Sequence, residues 1–400
     1  MKRLLVVVSS AAVLCVTAAV PAWAASDPYR SRQWGLSKIR ADRAWSTSKG
    51  AGVTIAIVDS GIDLTHPDLK NKIVSHYSCI GGTCKSGGDD DNGHGSHVAG
   101  IAAASTSNGL GIAGVAPSAK LMAVKVLGAD GTGACGDVDA GIRWAADRGA
   151  DVINLSLNPG VFGLDIFCGL QSAAEYAWGK GSVVVVAAGN DGLVNLYRSD
   201  SLIVVGATGP QDQPAAYSNA GADIYAPGGD RGSGSCTNAN CVYSTWKDGK
   251  YATSQGTSMA APHVSGITAL LLSRGVSKAQ ILPRLKTTAD HVGGILRVNA
   301  ARAVGTVAAT VKKVSVRSRS RSSGRVPGAA SRSTRTRSGV SSVTGEAPLP
   351  YTMPPAYALE SADGAPSSSH TPARPWVISV AGGLALLSGA GMLRRILAAA

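Results

Sequence analysis

The sequence predicts an α/β fold, a mostly parallel central sheet with helices on both faces, on three observations. Short runs rich in Val and Ile recur at Val53–Val58, Leu121–Val126, Val152–Leu155, Val183–Ala187 and Leu202–Val205. Each is apolar on both faces, the pattern of strands buried in a parallel sheet rather than of strands with one wet face. Between them, residues 137–148 and 170–179 read as helices, and Gly149 and Gly181 fall where C-caps would end them.

At 400 residues the chain can hold one large α/β domain, which often runs to about 200–250 residues or more, together with flanking segments. The formal charge of +13 does not make that domain a polyanion binder. Nine basic residues lie between Lys312 and Arg337, where no acid occurs, and with the terminal segments set aside the globular part carries only about +2. Residues 1–24 begin Met-Lys-Arg, continue through an apolar run from Leu4 to Val20 and end in Ala22-Trp23-Ala24. That is the build of an export signal and its cleavage site. Cys15 lies inside it, preceded by Leu14 where a lipoprotein signal has a small residue, and is expected to leave with it.

Six cysteines remain, Cys79, Cys84, Cys135, Cys168, Cys236 and Cys241. An even number in an exported chain reads as disulfides, with several pairings open. Four residues rich in Gly, Thr or Asn separate Cys79 from Cys84 and Cys236 from Cys241, which favours two local staples and leaves Cys135 with Cys168. The spacings lack the Cys-x-x-Cys pairs of a zinc site, so no metal is expected there.

Beyond residue 305 the composition turns to Ser, Arg, Thr and Gly through 339, then to Pro, Ser and Ala through 375. Such a stretch buries too little apolar surface to order itself. Residues 306–375 therefore read as a disordered linker with a root-mean-square reach of about 45 Å. Trp376–Leu393 is an 18-residue stretch without a charge, followed by Arg394-Arg395. As a helix it spans about 27 Å, a short transmembrane segment. The arginines place the 394–400 tail in the cytoplasm and the large domain outside a cell membrane crossed once. On an exported chain the Arg/Ser run fits anionic surfaces rather than nucleic acid.

Three polar words mark the ends of the elements. Asp59 ends the first strand in Val-Asp-Ser-Gly-Ile-Asp (58–63), His94 opens a helix in Gly-His-Gly-Ser-His-Val-Ala-Gly (93–100), and Ser258 opens the helical stretch 258–273 in Gly-Thr-Ser-Met-Ala-Ala-Pro-His (256–263). In a doubly wound fold such residues meet at the carboxyl edge of the sheet. There a carboxylate can fix the tautomer of an imidazole, the imidazole can take and return a proton, and a hydroxyl can react beside the positive end of a helix. Asp63 competes with Asp59 but lies beyond Gly61, past the strand end. His97 competes with His94 and reads as packing, with no metal pair expected. On position alone Ser258 would be an N-cap, and with Ala at 260 the word is not the Gly-x-Ser-x-Gly elbow.

These words in the order Asp, His, Ser closely resemble the subtilases, the subtilisin-like serine proteases of peptidase family S8, over roughly residues 30–305. The resemblance implies a subtilisin-like fold, a catalytic domain at 25–305, and a serine endopeptidase working through an acyl-enzyme on the triad Asp59, His94 and Ser258. It implies that Asn190, in Ala-Ala-Gly-Asn, completes an oxyanion hole with the serine N–H. It also implies that a peptide substrate pairs with the backbone of Leu155-Ser156-Leu157 on one side and Leu127-Gly128 on the other. Asn158-Pro159 stands where the family often has glycines, so the preferred side chain stays open.

Catalysis on this pattern requires no cofactor. Calcium often stabilises subtilases, and Gln33, Asp68 and Asp89–Asp91 offer oxygens for a structural ion without a contiguous ligand pattern. Fewer than ten residues separate the signal cut from Gln33-Trp34-Gly35-Leu36, too few for a folded inhibitory prodomain. Signal, domain, Pro-rich linker and anchor together resemble the layout of the mycosins, membrane-anchored subtilases associated with type VII secretion in actinobacteria, which implies partners in a secretion complex. The competing expectation is a catalytically silent fold that binds peptide or serves assembly. A base and an oxyanion donor both present argue against it, and the flanking words argue against an esterase.

Overall fold

The computed structural model describes residues 26–157, 169–194, 199–305 and 350–352. The export signal, Asn158-Pro159, Cys168, most of the linker and Trp376–Leu393 lie outside these residues. Among the described residues no helix is long and apolar enough to cross a membrane.

Strands β1 (Thr54–Asp59), β2 (Ile73–Ser78), β3 (Lys85–Ser86), β4 (Lys120–Lys125), β6 (Val152–Leu155), β7 (Val183–Ala187), β8 (Leu202–Thr208), β9 (Ile224–Pro227), β12 (Asp290–Val292) and β13 (Ile295–Arg297) form one sheet. Its order is β12-β13-β9-β8-β7-β6-β1-β4-β2-β3. Pairing is parallel from β2 through to β13 and antiparallel only where β3 and β12 close the edges. The chain runs from β1 to the β4 side and returns to β6 on the opposite side, so the winding reverses at β1. In an open α/β sheet, the crevice at such a reversal is where ligands bind.

The helices are α1 (Trp34–Lys38), α2 (Ala41–Ala44), α3 (His94–Ala103), α4 (Cys135–Asp147), α5 (Leu170–Lys180), α6 (Thr257–Leu272), α7 (Lys278–Thr288) and α8 (Ala300–Val304). Alternate residues of the strands feed two cores. Ile55, Ile57, Leu121, Ala123, Val183 and Val185 pack with Val98, Ile101, Val264 and Ile267 of α3 and α6. Ala56, Val58, Met122, Val124, Val184 and Val186 pack with Val138, Ile142, Ala173 and Ala177 of α4 and α5. Helices thus cover both faces, as the two-sided apolar runs predict.

Element ends differ by one to three residues from those expected. α4 starts at Cys135, not 137, because strand β5 (Thr132–Ala134) delivers an extended Ala134 straight into its first turn. Gly181 caps α5 in the left-handed region (φ 109°), as expected. β2, β9 and the antiparallel hairpin of β10 (Val242–Trp246) and β11 (Lys250–Ser254) had no clear apolar signal. A separate two-stranded sheet joins β5 to β14 (Pro350–Thr352). Two disulfides, Cys79–Cys84 and Cys236–Cys241, form the expected local staples. The pairing of Cys135 with Cys168 involves a residue outside the described set.

Candidate active site

Asp59 is the last residue of β1 and is fully buried. His94 is the first residue of α3, and its Nδ1 donates to Asp59 Oδ1 at 2.8 Å. The Ser60 N–H donates to the same oxygen at 2.7 Å. Asp59 Oδ2 is buried with no hydrogen-bond partner among the described residues. Burial pulls the His94 imidazole down, but the Asp59 charge and hydrogen bond, with Asp90 behind them, outweigh burial and hold it above its ordinary 6.5.

The helix carrying His94 is fixed by Asp90, which the sequence reading grouped with calcium candidates. Asp90 Oδ1 accepts from Ser60 Oγ at 2.8 Å and Gly93 N–H at 2.8 Å, while Oδ2 accepts from Ser96 N–H at 2.8 Å and Ser96 Oγ at 2.6 Å. One carboxylate therefore satisfies open donors of the first turn of α3 and ties them to the residue after Asp59. Gly95 allows this approach: a Cβ there would sit 2.0 Å from the Gly61 carbonyl oxygen. An aspartate four residues ahead of a helical histidine was a capping signal in the sequence, masked by its acidic neighbours.

Ser258 is the second residue of α6, one place later than the sequence reading put it, and only 2% exposed. Its Oγ donates to the Ser156 carbonyl at 3.0 Å. Pro262 lies four residues on and has no N–H for the Ser258 carbonyl, so that carbonyl is open; Ser156 Oγ fills it at 2.8 Å. Asn154 Nδ2 donates to Ser156 Oγ at 2.9 Å and Ser265 Oγ to Asn154 Oδ1 at 2.8 Å. The segment after β6 is thus bolted to the serine helix by a buried polar chain.

Asn190 follows β7, and its Oδ1 accepts from Thr257 N–H at 2.8 Å and Thr257 Oγ1 at 2.9 Å. Thr257 Oγ1 in turn accepts from Gly189 N–H at 3.2 Å. With Oδ1 committed to two donors, the amide keeps Nδ2 as its donor end beside the start of α6. Thr257, which carries no signal in the sequence, thus holds the Asn190 amide at the start of α6. Leu127, Leu155 and Leu157 bury their side chains, so what they offer the cleft, with Gly128 and Ser156, is backbone.

The rival residues have other occupations. His97 Nε2 contacts the carbonyls of Val242 and Ala252 at 3.1 Å each, and burial, with His94 nearby, takes it down to about 3. Asp63 accepts from Thr65 and from Gly249 N–H. Among the calcium candidates, Gln33 exchanges two hydrogen bonds with Ala113, and Asp68 accepts from Asn108, Ile112 and Tyr251. Asp89 accepts from Leu64 and Asp91 from Lys125. These oxygens already serve protein donors, and among the described residues no group of three or more His, Cys, Asp or Glu side chains converges on a metal position.

A carboxylate-bound imidazole at one helix start and a serine at another, its hydroxyl turned to the Ser156 carbonyl rather than to His94, are the groups a serine hydrolase uses. Residues 50–324 match the subtilase family. The chain belongs to that family of serine-type endopeptidases. It is similar to thermitase of Thermoactinomyces vulgaris, 44% identical over 292 residues that cover 70% of this chain and 98% of thermitase. A thermophilic serine proteinase of Bacillus sp. (strain AK1) is 42% identical over 287 residues, 68% of this chain and 66% of that one. Among solved structures, a protease from Pseudoalteromonas arctica aligns with a TM-score of 0.63 and 33% identity, covering 70% of this chain and 98% of the other. The nisin leader peptidase NisP of Lactococcus lactis aligns at 0.60 with 26% identity, covering 70% and 95%.

Proposed function

We propose that the chain is an exported, membrane-anchored serine endopeptidase whose triad is Asp59, His94 and Ser258. The carrying observation is the 2.8 Å bond from His94 Nδ1 to buried Asp59, which leaves Nε2 as the atom that exchanges protons. Ser258 Oγ attacks the carbonyl carbon of an extended peptide while its proton passes to His94 Nε2. The oxyanion takes hydrogen bonds from Ser258 N–H and Asn190 Nδ2. Collapse of the tetrahedral intermediate breaks the C–N bond as His94 returns the proton to the leaving amine. Water then repeats the sequence on the acyl-enzyme. At rest the serine hydroxyl leans on the Ser156 carbonyl; a substrate N–H that claims this carbonyl would release the hydroxyl toward His94.

Export and anchoring rest on residues 1–24, Trp376–Leu393 and the arginines after it. A mycosin-like place in a secretion assembly, with protein substrates that pass within reach of the linker, rests on the layout of these segments. No cofactor is required for the chemistry, and structural calcium would have to draw oxygens from existing donors. The test is casein cleavage by full-length chain in membranes. We expect wild type and Ser258→Ala to sediment with membranes alike, with cleavage by wild type alone. A soluble full-length chain would sink the anchor, and an inactive wild type would favour the silent binding module.

A further inference from the structure

β5 has a partner strand supplied by a distant part of the same chain. β14 runs antiparallel to β5 with Thr352 opposite Thr132, Tyr351 opposite Gly133 and Pro350 opposite Ala134. A turn over residues 129–131 joins Leu127-Gly128 to β5, and the Gly128 N–H donates to the Thr132 carbonyl at 2.8 Å. Thr132 gives its own N–H to Asp130 Oδ1 at 2.9 Å. Both backbone groups of Thr132 are spent inside this turn. Bonded and non-bonded pairs alternate in an antiparallel ladder, so the exchange of hydrogen bonds falls to Gly133 and Tyr351. Pro350, which has no N–H, then stands at a pair that asks for none.

β5 is braced by the domain. A Cβ on Gly133 would sit 2.4 Å from the Val126 carbonyl oxygen and 2.7 Å from Leu127 Cδ2, so β5 is pressed onto the end of the strand that leads into the cleft. Leu127, Leu155 and Leu157 share one core cluster beneath it, and Ser156 carries the Ser258 hydroxyl. β5 and residues 155–157 therefore stand over the same core.

We propose that Pro350–Thr352 is a built-in pseudosubstrate that occupies the backbone edge an extended peptide would use and competes with it. The proposal rests on the endopeptidase reading above. Prolines at 348, 350, 354 and 355 bias this stretch toward extended backbone, which lowers the ordering cost of docking. The bonds after the paired strand, Met353-Pro354 and Pro354-Pro355, are tertiary amides to proline nitrogens, so the segment is a poor substrate for the site it fills. Residues 306–349 join it to the domain, a length that gives an effective concentration on the order of millimolar. A strand with only millimolar affinity would be about half docked.

The test uses the full-length chain. Tyr351→Pro removes the N–H of the bonded pair, whereas Thr352→Ala keeps every backbone group. We expect Tyr351→Pro to lower the KM for an extended chromogenic peptide by roughly two- to tenfold at unchanged kcat, with Thr352→Ala near wild type. In the Ser258→Ala chain, Thr132→Cys with Thr352→Cys should cross-link, since facing residues of a non-bonded pair are close enough for a disulfide. Thr132→Cys with Thr344→Cys should not. An unchanged KM in Tyr351→Pro overturns the competition, and equal cross-linking of both cysteine pairs overturns the docking. A wild type without peptidase activity whose Thr132/Thr352 pair still cross-links would sink the endopeptidase reading and keep the docking.

Discussion

The imidazole of His94 and the carboxylate of Asp59 are joined by one hydrogen bond, 2.8 Å from Nδ1 to Oδ1, between a helix start and a strand end. Asp59 is fully buried and the His94 side chain is 12% exposed, so one partner is locked while the other still reaches the cleft. Asp59→Asn keeps the shape but offers an amide to a nitrogen that needs an acceptor. We expect kcat to fall by ~10⁴ with KM little changed, a size borrowed from the Ser-His-Asp template. Steady-state kinetics on a short peptide check it.

The same pair sets the acid limb of activity. His94 is held above 6.5, and only the neutral imidazole can take the serine proton. Activity should therefore rise with pH through a value above 6.5 and flatten once His94 is deprotonated. A kcat/KM profile with its acid limb below the ordinary imidazole value would show that Asp59 does not support the charge.

Asn190→Ala removes the side-chain oxyanion donor and should cost ~10²–10³ in kcat, the magnitude known from the corresponding subtilisin donor. Thr257→Val keeps that donor but removes the hydroxyl holding Oδ1, so its loss should be smaller and also fall on kcat. Equal losses would mean that Asn190 acts by packing.

His97 predicts acid lability. Its folded-state value, about 3, lies below the ordinary 6.5, so between these values the unfolded chain binds the proton and the folded chain resists it. Its contribution is present above the unfolded value and is lost as pH falls through this window, at up to about 1.4 kcal/mol per pH unit. Thermal melts in a Ser258→Ala background, which prevents self-digestion, should show Tm falling from pH 6.5 downward. His97→Gln, which can still donate to the carbonyls, should flatten that slope. Parallel curves would show that other groups carry it.

Much of this was legible in the residues. The apolar runs marked five of the sheet strands because burial on both faces writes itself into every position, and Asp59, His94, Asn190 and Ser258 each stood in a distinctive local word. β2 was not legible, since its residues alternate between half-buried and exposed, nor was β9, which ends in Pro227. The supporting groups were hidden for a different reason. Thr257 and Asn154 act through partners distant in sequence, Asn190 and Ser265, whereas Asp90 binds Gly93 and Ser96 close by and was masked by its neighbours Asp89 and Asp91. The pairing of β14 with β5 joins positions more than two hundred residues apart, one of them in a stretch whose composition reads as disordered.

The role of Ser258 is open to one decisive measurement, fluorophosphonate labelling of the full-length chain followed by peptide mapping. We predict a single phosphonyl adduct on Ser258, formed faster as pH rises through the His94 limb and absent from Ser258→Ala. An adduct on any other serine, or labelling that persists in Ser258→Ala, would contradict the assignment of this site.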